Sequence, residues 1–198
     1  MTVCKHEKFD LIVIGAGSGG LTMASVAAQL GYDVALLEGG KMGGDCLNYG
    51  CVPSKALISA AKSVHTACAS QKLGLEVNGT ADMAAVHQHV HSAIKTIAPH
   101  DSQERFEGFG ATVIREYGFF INEDTIGTES GKRLKARRIV IATGSRPLAP
   151  PIKGLEESGF YTNETIFDLK ERPKHLLIAG GGPIGTEMAQ AFARLGSK

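Results

Sequence analysis

The chain has 198 residues, of which 43% are hydrophobic, enough for one complete domain and part of another. Its 21 Lys and Arg residues balance 20 Asp and Glu residues without a basic block, which argues against nucleic acid as a partner. No signal-peptide pattern precedes the first apolar stretch and no apolar run reaches the roughly 20 residues of a membrane span, so we expect a cytoplasmic protein without membrane contact.

The N-terminal part has the pattern of a strand, a helix and a second strand. Phe9–Ile14 is a continuous apolar run that leads into glycines, as expected of a buried parallel strand. Leu21–Leu30 has helical composition and stops at Gly31, a suitable C-cap. Asp33–Leu37 predicts the second strand, which ends at Glu38. The segment has the length of one βαβ unit, about 30 residues.

Three glycines link the first predicted strand to the helix: Gly15, Gly17 and Gly20. In such a loop the first glycine permits a tight turn, the second lets the backbone approach a pyrophosphate, and the third lets the helix pack on the strand. The helix N-terminus then favours the phosphates. Glu38 lies 18 residues beyond Gly20, where its carboxylate could accept hydrogen bonds from a ribose 2′-OH. This combination, unlike a glycine pattern alone, predicts a dinucleotide site.

Residues 43–55, GGDCLNYGCVPSK, contain a close cysteine pair, Cys46 and Cys51. In a reducing compartment such a pair is more often redox-active or metal-binding than structural. On an unbroken helix this spacing places the Cα atoms about 8 Å or more apart, whereas a disulfide needs them within about 7 Å. Gly50 and Pro53 can distort the backbone between and after the cysteines, so the sequence permits a short disulfide at a distorted helix start.

Other groups near the pair allow two interpretations. Lys55, four residues after Cys51, shares its face if the stretch is helical and could stabilise a thiolate or a reduced flavin, although a solvated lysine is the alternative. The cysteines could instead be ligands of a zinc ion. Zinc normally takes four ligands, however, and the sequence has no second close Cys or Cys/His pair. Cys4 and Cys68 have no near partner, and we interpret them as small apolar side chains.

The middle of the chain predicts two helices and a set of strands. Helices are expected at Lys55–Ala69 and at Ala84–Ala98, the second closed by Pro99. Ala111–Ala142 predicts an antiparallel meander that returns to the main sheet, with a turn around Asn122–Gly131. The second helix carries the only candidate metal ligands, His87, His89 and His91. Because His87 and His91 share a helical face and His89 points elsewhere, we interpret them as exposed histidines and predict no metal site.

The C-terminal part begins a second unit. Three prolines mark a linker: Pro147, Pro150 and Pro151. Leu176–Ala179 predicts a buried strand and Thr186–Leu195 a helix. The glycines between them repeat the first pattern: Gly180, Gly182 and Gly185. Glu187 is interpreted as a solvated carboxylate or one that compensates the helix dipole. The residue that would discriminate between dinucleotides would follow the next strand, beyond Lys198.

Together these patterns predict an α/β fold. We expect a Rossmann-like dinucleotide-binding domain, with a parallel sheet and an antiparallel meander, in residues 1–150. Residues 151–172 would form a connection, and residues 173–198 the beginning of a second Rossmann-like dinucleotide-binding domain.

Four motifs together resemble one family: GAGSGG with Glu38, GGDCLNYGCVPSK, ATGSRP and GGGPIGTE. They are similar to those of the class I pyridine nucleotide–disulfide oxidoreductases, flavoenzymes that include lipoamide dehydrogenase, glutathione reductase and mercuric reductase. The resemblance covers essentially all of this chain but less than half of a complete family member. Thioredoxin reductases differ because their CxxC lies in the pyridine-nucleotide domain. Flavin monooxygenases also have two glycine fingerprints but do not account for CLNYGC.

The resemblance implies FAD and NAD(P)H as cofactors. Cys51 would face the flavin as the charge-transfer thiol, and Cys46 would be the outer thiol that exchanges with substrate. The residues implied in FAD binding are Gly15, Gly17 and Gly20 at the pyrophosphate, Glu38 at the adenosine ribose, Gly118 at the adenine, Gly44, Asp45 and Lys55 near the flavin, and Thr143, Gly144 and Ser145. Those implied at the NAD(P)H pyrophosphate are Gly180, Gly182 and Gly185.

The resemblance also implies an activity. Hydride would pass from NAD(P)H to the flavin, and electrons would then reduce a Cys46–Cys51 disulfide, which exchanges with a disulfide or metal-ion substrate. The alternative is a truncated, catalytically incompetent FAD-binding fragment of such an enzyme. Full-length members are homodimers, but the interface domain with its His–Glu pair is not in this chain, so we do not expect that dimer here.

Some residues depart from the family pattern. Asp45 replaces the threonine common in GGTC and brings a negative charge near the flavin, which favours a mercuric-reductase-like member over the lipoamide enzyme. Glu116 and Gly118 stand where Gly and Ala are usual in the meander.

Overall fold

The structure, a computed structural model, describes residues 6–77 and 80–198, so Cys4 lies outside the described residues. The chain divides into two compact units. The first consists of Met1–Asn48 and Ile97–Arg146, and the second of Tyr49–Thr96 and Pro147–Lys198. The predicted division into domains at residues 1–150, 151–172 and 173–198 stays a prediction. The two compact units are defined by contacts within this chain and do not test those domain boundaries.

The helices and strands of the described residues can be given in chain order. The strands are β1 (His6–Ile14), β2 (Val34–Leu37), β3 (Ala111–Ile114), β4 (Gly118–Asn122), β5 (Thr125–Thr128) and β6 (Arg133–Ile141). The α-helices are α1 (Ser18–Gln29), α2 (Gly44–Asn48), α3 (Cys51–Ser70), α4 (Met83–Ile97), α5 (Gln103–Gly108), α6 (Leu155–Ser158) and α7 (Pro183–Arg194). Short 3₁₀ turns lie at Gln71–Leu73, Ala98–Asp101 and Ile166–Asp168.

The first unit is built on a six-stranded sheet in the order β3-β2-β1-β6-β5-β4. The neighbours β3, β2, β1 and β6 are parallel, whereas β5 is antiparallel to both β6 and β4. This mixed sheet confirms the predicted α/β class with a Rossmann-like parallel part and an antiparallel meander. The carboxyl ends of the parallel strands therefore meet at one edge of the sheet, where ligands bind in such folds.

Both faces of the parallel strands are covered, which explains the continuous apolar run in β1. Leu11 and Val13 lie in a buried cluster with residues of α1 and with Phe106 of α5. Ile12 and Ile14 lie in a second cluster with residues of β5 and β6. A strand that packs on both faces has no polar side to alternate with its apolar one.

The meander is smaller than predicted. Ala111–Ile114 does not belong to it but pairs parallel with β2, from Val34↔Ala111 to Leu37↔Ile114. The predicted turn at Asn122–Gly131 contains a strand, β5, whose four residues are all buried. Short strands with a small or polar residue at every other position carry too little pattern to distinguish them from turns. The meander thus consists of β4, β5 and β6.

The second unit has a helical core. Buried side chains of α3, α4 and α7 form one cluster with residues of the 3₁₀ turn Ile166–Asp168, and Phe192 of α7 is 1% exposed at its centre. Leu176–Ala179, predicted as a strand, is not assigned as one in this described segment. Leu176 donates its N–H to the Lys198 carbonyl (2.8 Å), and Lys198 donates to that of Lys174 (3.0 Å). This is the pattern of a parallel pair, but a strand needs several such pairs.

The predicted helices are present with shifted ends. Gly31 ends α1 with φ 86°, as expected of a left-handed glycine cap. The helix predicted from Lys55 begins at Cys51, and the one predicted from Ala84 begins at Met83. Within the described residues, the chain has no helix with the length and apolar character needed to cross a membrane.

Candidate nucleotide and dithiol site

The first glycine turn, Gly15–Gly20, connects β1 to α1 and is shaped by its glycines. Gly15 has φ 104°, and a Cβ on it would overlap the backbone carbonyl of Ala142. A Cβ on Gly20 would overlap the carbonyl oxygen of Gly15. Helix α1 thus packs directly on the turn, and Gly17 is its N-cap. Because α1 lacks a side-chain cap at this end, its first N–H groups are available for an anion such as a phosphate.

Glu38 ties the end of β2 to this turn. Its Oε2 accepts a hydrogen bond from the Ala16 N–H (2.7 Å), and its Oε1 accepts one from the Gly40 N–H (2.7 Å). The guanidinium of Arg115 donates to the carbonyl oxygens of Glu38 and Gly40, which holds the segment after β2 in place. The carboxylate therefore lies beside the glycine turn, and the predicted contact of Glu38 with a ribose stays a prediction.

A second pair of glycines lies against the first glycine turn. The Gly43 N–H donates to the Ala16 carbonyl (2.9 Å), and a Cβ on Gly44 would lie 2.6 Å from the Cα of Gly17. Gly44 also has φ 55°, a conformation that side chains disfavour. The two backbones can approach this closely only because Gly44 has no side chain. We call the backbone surface that they form at the N-terminus of α1 the cradle.

Two further predicted segments reach the same edge of the sheet. The chain leaves β6 with Ala142 donating to the Ile14 carbonyl (2.8 Å), and the Thr143 Cα lies 3.2 Å from the position of a Cβ on Gly15. The next two residues, Gly144 and Ser145, are exposed. Gly118 begins β4, and a Cβ on it would lie 2.7 Å from the side chain of Leu37.

Glu116 departs from the family pattern and has a structural role in the meander. Its carboxylate accepts hydrogen bonds from the backbone N–H and the hydroxyl of Ser130, both at 2.9 Å. The backbone hydrogen bond is the main reason why the pKa of Glu116 is lowered from its usual value, with hydroxyl hydrogen bonds and Lys132 adding to it. The carboxylate thus ties the segment before β4 to the turn after β5.

Replacing Glu116 by Gln is expected to lower stability in a pH-dependent way. Because the folded-state pKa is depressed, the carboxylate stabilises the fold above its unfolded pKa, and this contribution is lost as the pH falls through the folded value. Urea unfolding of the wild type and of Glu116→Gln should therefore differ near neutral pH and converge in acid. Glu123→Gln, at an exposed carboxylate of the same meander, is the control. A gap between wild type and Glu116→Gln that persists unchanged in acid would contradict this expectation.

The two cysteines lie on either side of a helix break. Cys46 is half-buried in α2, which ends at Asn48, and Cys51 is the first residue of α3. Between the helices Gly50 has φ −127° and ψ −114°, outside the helical region. The side chain of Asn48 donates to the carbonyls of Gly44 (2.8 Å) and Met42 (3.0 Å) and closes α2 on itself. The backbone distortion that the sequence permits is thus present between the cysteines, whereas a disulfide between them stays a prediction.

Each cysteine has its own surroundings. In the first unit, Cys46 lines a cleft together with Ser18, His100 and Arg105. In the second unit, Cys51 is an exposed free thiol at the N-terminus of a 20-residue helix, where the helix dipole favours negative charge. Lys55 lies one turn further along α3 and is also exposed, as expected if it shares the face of Cys51.

The second glycine turn, Gly180–Gly185, repeats the geometry of the first. Gly180 has φ 116°, and a Cβ on Gly185 would overlap the Gly180 carbonyl oxygen, as one on Gly20 would overlap that of Gly15. The two N-caps also match: Gly17 has φ −81° and ψ −175°, and Gly182 has φ −72° and ψ 179°. The chain therefore holds two helix N-termini with the same phosphate-type backbone, one in each unit.

A family model for pyridine nucleotide-disulphide oxidoreductases matches residues 9–198. The chain belongs to this family. Two of its relatives are a mercuric reductase of Lysinibacillus sphaericus, 32% identical over 100% of this chain and 36% of that protein, and a dihydrolipoyl dehydrogenase of Geobacillus stearothermophilus, 36% identical over 96% of this chain and 41% of that protein.

A solved structure agrees with this membership. The HOCl-induced flavoprotein disulfide reductase RclA from Escherichia coli, determined as a Cu(II) complex, has a TM-score of 0.80 and 30% sequence identity over 95% of this chain and 40% of that chain. The chain thus spans about two-fifths of the length of these three proteins. The resemblance found in the motifs and the fold class are both confirmed.

The family fold brings together only part of the predicted site. The first unit gathers seven of the predicted residues near one edge of its sheet: Gly15, Gly17, Gly20, Glu38, Gly44, Gly118 and Thr143. Asp45 is exposed in the first turn of α2. The structure adds two residues that the sequence reasoning missed, Arg115 and Tyr117, whose ring lies directly over Gly39. The sequence signal that could have indicated them is their position next to the predicted site residue Gly118, in the run REYG of residues 115–118.

The histidines of α4 are partly as predicted. His89 is exposed as predicted, but His87 and His91 are half-buried rather than exposed, and they share a face with their ring centroids 4.1 Å apart. The pKa of His87 is lowered, first by burial and then by the neighbouring His91 and Lys170, against an opposing effect of Asp168. The contact with Asp168 could not be read from the sequence because that residue lies far along the chain.

Proposed function

We propose that this chain is the N-terminal part of an FAD- and NAD(P)H-dependent disulfide oxidoreductase. The observation that carries the proposal is the helix break between Cys46 and Cys51, immediately after a glycine pair that contacts the first glycine turn. A dithiol beside a dinucleotide cradle suits the transfer of an electron pair between a cofactor and a substrate sulfur.

The cradle of the first unit fits the pyrophosphate and ribose of FAD. Backbone N–H groups of the first glycine turn lie at a helix N-terminus, and Gly17 and Gly44, which contact each other there, present backbone without side chains. The Glu38 carboxylate would accept hydrogen bonds from the adenosine ribose, and Gly118 would admit the adenine. Asp45, Lys55 and Thr143–Ser145 would lie near the rest of the cofactor. When bound, the flavin would supply the electron pair that a disulfide takes up on reduction.

The second glycine turn would bind the pyrophosphate of NAD(P)H through the N-terminus of α7. Its support is the match in backbone geometry to the first turn, at Gly180, Gly182 and Gly185. A family member has one such turn for each cofactor, so this assignment gives the first turn to FAD and the second to the nicotinamide dinucleotide.

The reduced cysteines would exchange with a substrate disulfide in two steps. The Cys46 thiolate attacks one substrate sulfur, forming a mixed disulfide and releasing one substrate thiolate. The Cys51 thiolate then attacks the Cys46 sulfur, which releases the second substrate thiolate and forms the Cys46–Cys51 disulfide. Two electrons pass to the substrate, and its thiolates take up two protons. The cleft beside Cys46, with Arg105 in its wall, gives an external substrate access to that sulfur.

The bridging step can be tested on the chain itself with the aromatic disulfide DTNB. In a background with Cys4 and Cys68 replaced by Ser, the reduced Cys46/Cys51 pair is expected to finish as an intramolecular disulfide without any adduct. Adding Cys51→Ser should instead trap one thionitrobenzoate on Cys46, because the resolving thiol is gone. Intact-mass spectrometry distinguishes these products. Two stable adducts on the unmodified pair would contradict the proposed relay.

A second candidate is an FAD-binding fragment without turnover, favoured by the coverage of about two-fifths of the relatives. The two candidates separate when flavin content and NAD(P)H oxidation with a disulfide are measured on this chain and on a full-length protein that contains it. Turnover by the full-length protein but not by this chain supports the second candidate. Absence of flavin from both proteins contradicts both candidates. For the long form we infer a cytoplasmic homodimer that acts on a disulfide or a metal ion.

A further inference from the structure

Three potential metal ligands of the second unit converge although they are distant in sequence. His87 and His91 lie one turn apart on α4, and Asp168 comes from the 3₁₀ turn Ile166–Asp168. One ligand atom from each residue lies within 4.8 Å of the others. The Nε2 of His91 is 3.2 Å from the Oδ1 of Asp168.

The environment of His91 gives a second, independent observation. Although its side chain is 35% exposed, its Nε2 atom is buried and has no hydrogen-bond partner among the described residues. The Asp168 oxygen at 3.2 Å is therefore too poorly aligned to accept a hydrogen bond. A buried polar atom without a partner is costly and needs an explanation. A metal cation that accepts the lone pair of this nitrogen would give the atom a partner.

We propose that His87, His91 and Asp168 form a binding site for a divalent cation of the zinc class. Tetrahedral zinc has bonds of about 2.0–2.1 Å to nitrogen and oxygen, so its ligand atoms lie about 3.3 Å apart. The distance of 3.2 Å between the His91 Nε2 and the Asp168 Oδ1 already matches this ligand–ligand separation. The other ligand atoms, which lie within 4.8 Å of one another, would come closer by small side-chain rotations. The Asp168 side chain is 68% exposed and free to adjust, and water can complete the coordination.

The charges near the site set its strength. Two neutral imidazoles and one carboxylate carry a single negative charge, so the site would keep a net positive charge with zinc bound. The positive charge of Lys170 contributes to the lowered pKa of His87, and the same charge opposes the binding of a cation. Nitrogen and oxygen ligands without a thiolate favour zinc and its neighbours over softer ions. A bound cation would link α4 to the 3₁₀ turn Ile166–Asp168. This proposal does not depend on the proposed redox activity.

The test is zinc binding by the whole chain against a chromophoric zinc chelator, with all thiols first blocked by iodoacetamide so that cysteines do not contribute. The wild type is expected to take up one zinc ion. Asp168→Asn and His91→Ala should each lower zinc affinity by at least about 100-fold, because loss of even an outer-shell partner costs about 10–100-fold. His89→Ala, at an exposed histidine of the same helix, should bind as the wild type does.

Lys170→Gln gives an effect of opposite sign and tests the charge argument. Removing this cation should tighten zinc binding, by about fivefold or less at low salt, and by less as salt is added. Circular dichroism of Asp168→Asn, a change at an exposed side chain, confirms that lost binding is not lost folding. The proposal is overturned if the thiol-blocked wild type takes up no zinc, or if His89→Ala reduces zinc binding as much as His91→Ala.

Discussion

Replacing Gly20 by Ala is expected to destabilise the first unit by about 2–4 kcal/mol and to abolish the proposed binding of FAD. The added Cβ would overlap the carbonyl oxygen of Gly15, a backbone atom that cannot rotate away. Helix α1 would have to move off the first glycine turn, and its N-terminal N–H groups would move with it. Urea unfolding followed by a titration with FAD measures both effects.

Gly19→Ala is a matched control one residue away in the same helix. A Cβ on Gly19 would meet no described atom within 4 Å. Because Ala has a helix propensity about 0.8–1.0 kcal/mol better than Gly in a helix interior, this variant should be as stable as the wild type or slightly more stable. Equal losses of stability in Gly19→Ala and Gly20→Ala would show that close packing of α1 on the turn is not what requires a glycine.

The second large effect is expected at Glu38. Glu38→Ala removes the acceptor for the N–H groups of Ala16 and Gly40, each bonded at 2.7 Å. Ala16 is 0% exposed, so its N–H would be left without a partner away from water, which costs about 1–3 kcal/mol. We expect a loss of about 2–3 kcal/mol in the free energy of unfolding and weaker binding of FAD.

Glu38→Gln separates hydrogen bonding from charge. The amide keeps one acceptor oxygen and should recover part of the stability, while its NH₂ group faces one of the two N–H donors. FAD affinity should fall in both variants if the carboxylate accepts hydrogen bonds from the ribose. Unchanged FAD affinity in both Glu38→Gln and Glu38→Ala would remove Glu38 from the proposed site while leaving its structural role intact.

How far the sequence predicts the fold depends on the strength of each local pattern. The unit of β1, α1 and β2 was predicted because a strand buried on both faces leaves a long apolar run, and because Gly31 caps the helix. β5 was missed because Thr125 and Gly127 do not resemble buried strand residues, although both are buried in the meander. The four-residue β3 was placed in the meander because its partner, β2, is set by tertiary pairing.

The same limit applies to the candidate site. Groups defined by short spacing were predictable, such as the two glycine turns and the break between Cys46 and Cys51. Contacts between distant segments were not: Asp168 approaches His91, and Arg115 holds the segment around Glu38. No periodicity along a single chain encodes which loops meet, because that depends on the packing of whole elements.

The position of β6 has a consequence for the growing polypeptide. This strand is synthesised after the other five strands described here, yet it lies between β1 and β5 and pairs with β1 up to Ile14↔Ile141. Until it emerges from the ribosome, one edge of β1 has no neighbour, and the unpaired N–H and C=O groups of such an edge invite pairing with other chains. Such late, non-local closure also slows folding, so a nascent chain of this family would benefit from a chaperone before β6 arrives.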